Sequence, residues 1–136
     1  MSDAPPYDVF SDAWIAAWAD EIRNSDPYRQ AAQRWEGSVA LRAADVPDLA
    51  AFLDLHHGAC RDARRAQGDD VEQADFVLAA DLGVWQRVLE RQLEPILGLM
   101  SGQLKLERGS MTRLLPYTKA SQELVAAATR VPTRFP

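Results

Sequence analysis

Asp75-Phe76-Val77-Leu78-Ala79-Ala80, Asp81-Leu82-Gly83-Val84-Trp85-Gln86-Arg87-Val88-Leu89, Leu93-Glu94-Pro95-Ile96-Leu97-Gly98-Leu99-Met100 and Gly102-Gln103-Leu104-Lys105-Leu106 form the stretch whose reading decides the fold. Phe76 to Ala80 is a short apolar run bounded by aspartates, the pattern of a buried strand. Asp81 stands where an N-cap is needed, ahead of a helix that carries Trp85, Val88 and Leu89 on one face. Pro95 to Met100 reads as an apolar turn, and Gly102 then opens an alternating strand with Leu104 and Leu106 opposite Lys105. A closing helix puts Leu114, Tyr117, Ser121, Leu124 and Ala128 on one stripe, with Arg113, Lys119, Gln122 and Glu123 facing away. Pro116 removes a helical hydrogen bond and clashes with the preceding turn, at about 3 kcal/mol, so two pieces or a kink are expected near Leu115.

Upstream, Phe10, Trp14, Ile15, Trp18 and Ile22 recur at helical spacing, with Ser11 placed as N-cap and Asp12 favourable in the first turn. Asn24-Ser25-Asp26-Pro27 ends this helix and starts a second, with Asp26 as the expected cap, that stops near Trp35 and Gly37. Trp14, Trp18 and Trp35 read as core anchors. From Ser38 the pattern becomes strand-like, with Val39 and Leu41 on one face. Phe52-Leu53-Asp54-Leu55-His56 and Ala59 to Arg65 pair as a hairpin about Gly58, and Gln67 to Asp70 is a loop. The sum is an α+β fold, a single five-stranded, mainly antiparallel sheet with helices packed on one side.

A chain of 136 residues fits one domain, 1–136, whose first nine residues read as a loose, acidic, proline-bearing start. The net charge of −5 argues against nucleic acid as partner, because phosphate binding rests on clustered cations. Arg61, Arg64 and Arg65 are interleaved with Asp62, Asp69 and Asp70, which is the pattern of a solvated face. Cys60 is the only cysteine, so there is neither an internal disulfide nor a paired-cysteine metal motif, and a reducing compartment is expected. No apolar run approaches the roughly 20 residues of a spanning helix, and the start lacks a secretion signal; a cytoplasmic protein follows by elimination.

Phe52 to Arg64, Asp75-Phe76-Val77-Leu78, Trp85, Leu93-Glu94-Pro95-Ile96, Leu99 to Leu106 and Tyr117 to Val125 resemble the bacterial branch of the sterol carrier protein type two domain family. The resemblance covers residues 35 to 125. It implies an apolar cavity between sheet and helices that takes sterols, fatty acids or acyl-coenzyme A, with the last helix as a wall. Carried onto this sequence, the implied lining is Phe76, Leu78, Trp85, Leu89, Leu97, Met100, Leu104, Leu106, Met111, Leu114 and Leu124. The chain departs from the family pattern at Gly109-Ser110, where relatives often carry an acidic residue after the glycine, and at Pro116.

Reactive chemistry is not what the residues offer. His56 and His57 beside Asp54 suggest a metal, yet adjacent strand residues point to opposite faces, so no metal is expected. Cys60 lacks an evident base, Ser101, Ser110 and Ser121 stand outside any nucleophile motif, and the glycines form no phosphate-cradling loop. Met100 and Met111 are flexible thioethers suited to filling gaps. The expected activity is therefore cofactor-free, non-catalytic binding of a hydrophobic molecule, with transient membrane contact and lipid transfer as its extensions. Burying about ten methylenes is worth roughly 8 kcal/mol gross. The rival readings are a docking or homodimer module using the last helix, and an accessory domain lending an apolar pocket to an enzyme.

Overall fold

Two neighbouring parallel strands organise the chain, as seen in the computed structural model, which describes residues 6–136. In chain order the elements are β1 (Tyr7–Asp8), α1 (Asp12–Arg23), α2 (Asp26–Ala31), β2 (Glu36–Ala43), β3 (Ala50–His56) and β4 (Ala59–Arg65). They continue with α3 (Asp70–Gln73), β5 (Phe76–Ala80), α4 (Leu82–Leu89), α5 (Pro95–Met100) and β6 (Lys105–Arg108). The chain closes with α6 (Met111–Leu114), a 3-10 turn over Leu115–Tyr117, α7 (Thr118–Thr129) and β7 (Thr133–Arg134). The main sheet has the order β4-β3-β2-β5-β6, with β2 and β5 parallel and the other three pairings antiparallel. This is the five-stranded, mainly antiparallel α+β arrangement expected from the sequence.

Period-two alternation decides the faces. Phe76, Leu78 and Ala80 join Val39, Leu53 and Leu55 in the main core under the helices, while Ala40 and Val77 face the other way. That second face carries a small cluster of its own, completed by Phe52, Val71 and Ala74. Val71 belongs to α3, a single turn of helix that starts at the last residue of the loop expected over Gln67 to Asp70. Arg64 lies over the Phe52 ring at 4.7 Å on this face and reaches Asp70 at 2.9 Å.

Asp70 is held below the usual carboxylate range, first by the Arg64 guanidinium and then by the Gln67 N–H, which donates to it at 2.8 Å. A depressed carboxylate stabilises the folded state above its unfolded pKa, near 4, and loses that contribution as pH falls through the folded value. Arg64→Met is therefore expected to lower the unfolding midpoint at neutral pH, with the gap to wild type closing below about pH 4. A gap that stays constant on acidification contradicts the pairing.

Several local readings change in the structure. Ser25, not Asp26, caps α2: its Oγ accepts from the Tyr28 N–H at 3.2 Å, and Asp26 sits in the first turn paired with Arg29. α2 ends at Ala31, well before Trp35. Asp81 occupies the N-cap position of α4 without a side-chain bond, and the Leu82 N–H donates instead to Asp45 Oδ1 at 2.8 Å. The swap follows from topology, since parallel β2 and β5 bring their C-terminal ends together and the Ala44 N–H donates to the Ala80 carbonyl at 2.8 Å. Pro95 to Met100 is helix rather than a turn, with Pro95 in the first turn and the Glu94 carboxylate accepting from the Leu97 N–H at 2.9 Å. Pro116 does split the last helix, through the 3-10 turn.

Residues 7–9, expected to belong to a loose start over residues 1–9, are part of the fold. Residues 1–5 lie outside the described residues, but Tyr7–Asp8 pair in parallel with Thr133–Arg134, and Val9 and Phe10 are buried. Arg134 Nε meets Asp8 Oδ1 at 2.7 Å across this pairing.

Candidate functional site

Between the helices and the inner face of the sheet lies a cavity of about 100 Å³, measured as room for the centres of water-sized spheres. Its floor is Val39, Leu41, Leu53, Leu55, Phe76 and Leu78, and its walls come from every helix longer than one turn. Among the described residues, no charged side chain lines it. The aromatic residues show how this is arranged. The indole N–H groups donate away from the interior: Trp14 to Thr133 Oγ1 at 2.8 Å, Trp18 to the Leu124 carbonyl at 2.9 Å, Trp35 to the Gly37 carbonyl at 3.2 Å and Trp85 to the Arg42 carbonyl at 2.9 Å. The Tyr117 hydroxyl likewise donates to the Arg34 carbonyl at 3.0 Å. Each ring thus satisfies its polar end and turns carbon toward the cavity.

Seven residues implied by the family resemblance meet at this cavity: Phe76, Leu78, Trp85, Leu89, Leu104, Leu114 and Leu124. Leu106 and Met111 do not reach it. Both are half-buried against the core, Leu106 on the edge strand β6 and Met111 at the start of α6. Leu97 and Met100 are 60 % and 70 % exposed. Because α5 is helical, Ile96 and Leu99 take the inward side, three residues apart, and Leu97 and Met100 fall outward. Trp14, Trp18 and Trp35, read from sequence as core anchors, also line the cavity, as do Tyr28, Leu53 and Leu55. The alternation of Leu53 and Leu55 is the available signal for the last two; nothing in the sequence marks Tyr28.

Gly109 and Ser110 shape one border of the site. Gly109 has φ of +97° and packs so closely on Phe76 that a Cβ would stand 2.3 Å from the ring. Ser110 caps α6, its Oγ accepting from the Arg113 N–H at 3.2 Å, a role open to acidic residues as well.

The histidine pair departs from the alternation argument. β3 ends at His56, and His57 has φ of +50°, so the two rings stack at 4.2 Å instead of pointing to opposite faces. Donor atoms of Glu36, His56 and His57 lie within 4.8 Å of one another. The ring planes are 19° apart, and both rings stand near the Glu36 carboxylate.

A five-stranded mixed sheet under helices, closed over an uncharged interior, is the build of a sterol-carrier-type α+β domain. The chain belongs to the SCP-2 sterol transfer family, whose sequence profile matches residues 19–115. It is similar to a protein whose crystal structure is described as sterol carrier protein 2, at 44% identity and a TM-score of 0.82, covering 91% of this chain and 99% of that one. A conserved hypothetical protein of Thermus thermophilus, described as possibly a sterol carrier protein, shares 40% identity at a TM-score of 0.81 over 98% and 97% of the two chains. Sterol carrier protein 2 of Yarrowia lipolytica in its apo form shares the fold, at 14% identity and a TM-score of 0.56 over 88% and 97%. No curated protein sequence matches the chain. Among the described residues, no helix is long and apolar enough to cross a membrane.

Proposed function

We propose that the chain binds a hydrophobic small molecule, of sterol or acyl-chain type, in the cavity between sheet and helices, without catalysing its conversion. The observation that carries this reading is the lining, an aromatic and aliphatic surface to which no charged side chain among the described residues contributes. Phe76, Leu78, Trp85, Leu89, Leu104, Leu114 and Leu124 are the proposed contacts among the residues the resemblance implies, joined by Trp35, Ile96 and Leu99. The relatives at 44% and 40% identity, described respectively as sterol carrier protein 2 and as possibly a sterol carrier protein, support the ligand class.

The cavity must widen to take such a ligand. An apolar cavity of about 150 Å³ accommodates a benzene, and this one has about 100 Å³. We assign the widening to α5, a six-residue helix that presents Ile96 and Leu99 inward and leaves Leu97 and Met100 unpacked outside. Docking through the last helix is the weaker reading, because Leu114 is buried and Leu114 and Leu124 both face the cavity. Displacement of a fluorescent fatty acid, with native mass spectrometry of gently purified protein, tests the proposal. Micromolar probe binding and a co-purifying lipid are expected; the absence of both refutes the proposal.

A further inference from the structure

We propose that Glu36, His56 and His57 form a binding site for a divalent cation of the zinc type, on the face of the sheet opposite the cavity. Glu36 opens β2 directly across from His56, the last residue of β3, so the two side chains leave the sheet on the same side. That side faces away from the cavity, because Leu53 and Leu55 line the cavity and His56 is one residue out of step with them. In a continuing strand His57 would point the other way; its φ of +50° turns the ring back beside His56. The turn is held in that shape. The His57 N–H donates to the Trp35 carbonyl at 2.7 Å, and Gly58 lies so close to α2 that a Cβ would stand 2.8 Å from the Arg29 carbonyl oxygen.

One atom sets this cluster apart from a solvated group of polar side chains. His56 Nδ1 is buried and has no hydrogen-bond partner among the described residues; Glu36 Oε1 stands 3.6 Å from it, too far for a hydrogen bond. A buried nitrogen without a partner costs about 1–3 kcal/mol, and coordination of a cation recovers that cost. His57 Nε2 is 3.9 Å from Glu36 Oε2, and the three donors lie within 4.8 Å of one another. Around a tetrahedral zinc ion with bonds near 2.1 Å, donors stand ~3.4 Å apart. Side-chain rotation closes that gap and opens the stacked rings toward one centre, and the His57 and Glu36 side chains, 55% and 68% exposed, have the room for it. The donor set selects the ion: two imidazoles and a carboxylate suit zinc and its borderline neighbours, whereas Mg²⁺ and Ca²⁺ take oxygen ligands. Asp54, the neighbouring carboxylate on this face of β3, is paired with Arg61 at 3.1 Å, which leaves Glu36 as the oxygen donor.

Titration of tag-free protein with zinc chloride, followed by calorimetry and by proton NMR of the imidazoles, tests the site. His56 and His57 are the chain's two histidines, so both imidazole signals report on this cluster. Wild type is expected to bind one Zn²⁺ per chain in the micromolar range, undisturbed by a hundredfold excess of Mg²⁺, with both imidazoles shifting together to saturation. Glu36→Gln and His57→Asn are each expected to weaken binding at least tenfold. Both variants keep the fold, since neither side chain belongs to the core and asparagine tolerates the left-handed backbone at position 57. No binding at submillimolar zinc, a shift of one imidazole alone, displacement by Mg²⁺, or wild-type affinity in either variant overturns the proposal. Lipid binding plays no part in these outcomes, because none of the three residues lines the cavity.

Discussion

Gly109→Ala lowers the stability of the protein by about 2–5 kcal/mol. Two penalties add. The backbone at Gly109 has φ of +97°, a region in which a side chain costs about 1–3 kcal/mol, and the new methyl would stand 2.3 Å and 2.7 Å from two Phe76 ring carbons. Phe76 has little freedom to retreat, being on the buried strand β5 with the Trp35 ring 4.9 Å away and the Arg113 guanidinium 5.1 Å from its own centre. Gly83→Ala supplies the opposite sign: Gly83 lies in the first turn of α4 with nothing within 4 Å of where a methyl would stand, so the substitution gains stability, by less than the roughly 0.5–1 kcal/mol of a mid-helix site. Chemical denaturation of both variants checks the pair. Equal shifts in the same direction would mean that the Gly109 conformation is not what constrains the position.

Ala120→Phe weakens ligand binding by more than tenfold while leaving a folded protein. Ala120 is buried on α7 and lines the cavity, so a phenyl ring there takes up room that the proposed ligand needs. The space of about 100 Å³ absorbs part of the ring, and the remainder is overpacking at about 1–3 kcal/mol. Circular dichroism confirms folding and fatty-acid probe titration measures binding. A folded variant that still binds with wild-type affinity places the ligand elsewhere.

Local periodicity makes much of the fold readable. The tryptophan stripe of α1, the apolar run of β5 and the break at Pro116 each depend on neighbours within a few residues. What fails to show depends on partners far along the chain or on runs that fit two periods. Pro95 to Met100 is apolar at nearly every position, which is compatible with turn, strand or helix, and so the outward placement of Leu97 and Met100 stays hidden. Asp45 caps α4 from 37 residues away, through a strand pairing no local window contains. The histidine rings meet only because His57 adopts a left-handed turn conformation. Tyr28 is a single aromatic on a six-residue helix, and its place in the cavity lining depends on the interior assembled around it.

The parallel pairing of Tyr7–Asp8 with Thr133–Arg134 has a mechanical consequence. Tension applied at residue 7 and residue 134 pulls two strands that run in the same direction past each other, along their length. The bonds from the Tyr7 N–H to the Pro132 carbonyl at 2.9 Å and from the Val9 N–H to the Arg134 carbonyl at 3.1 Å are then loaded together, in shear, and cannot be peeled one at a time. The Arg134–Asp8 ion pair and the Trp14–Thr133 hydrogen bond share the same load, so stretching meets its first resistance at this small clamp.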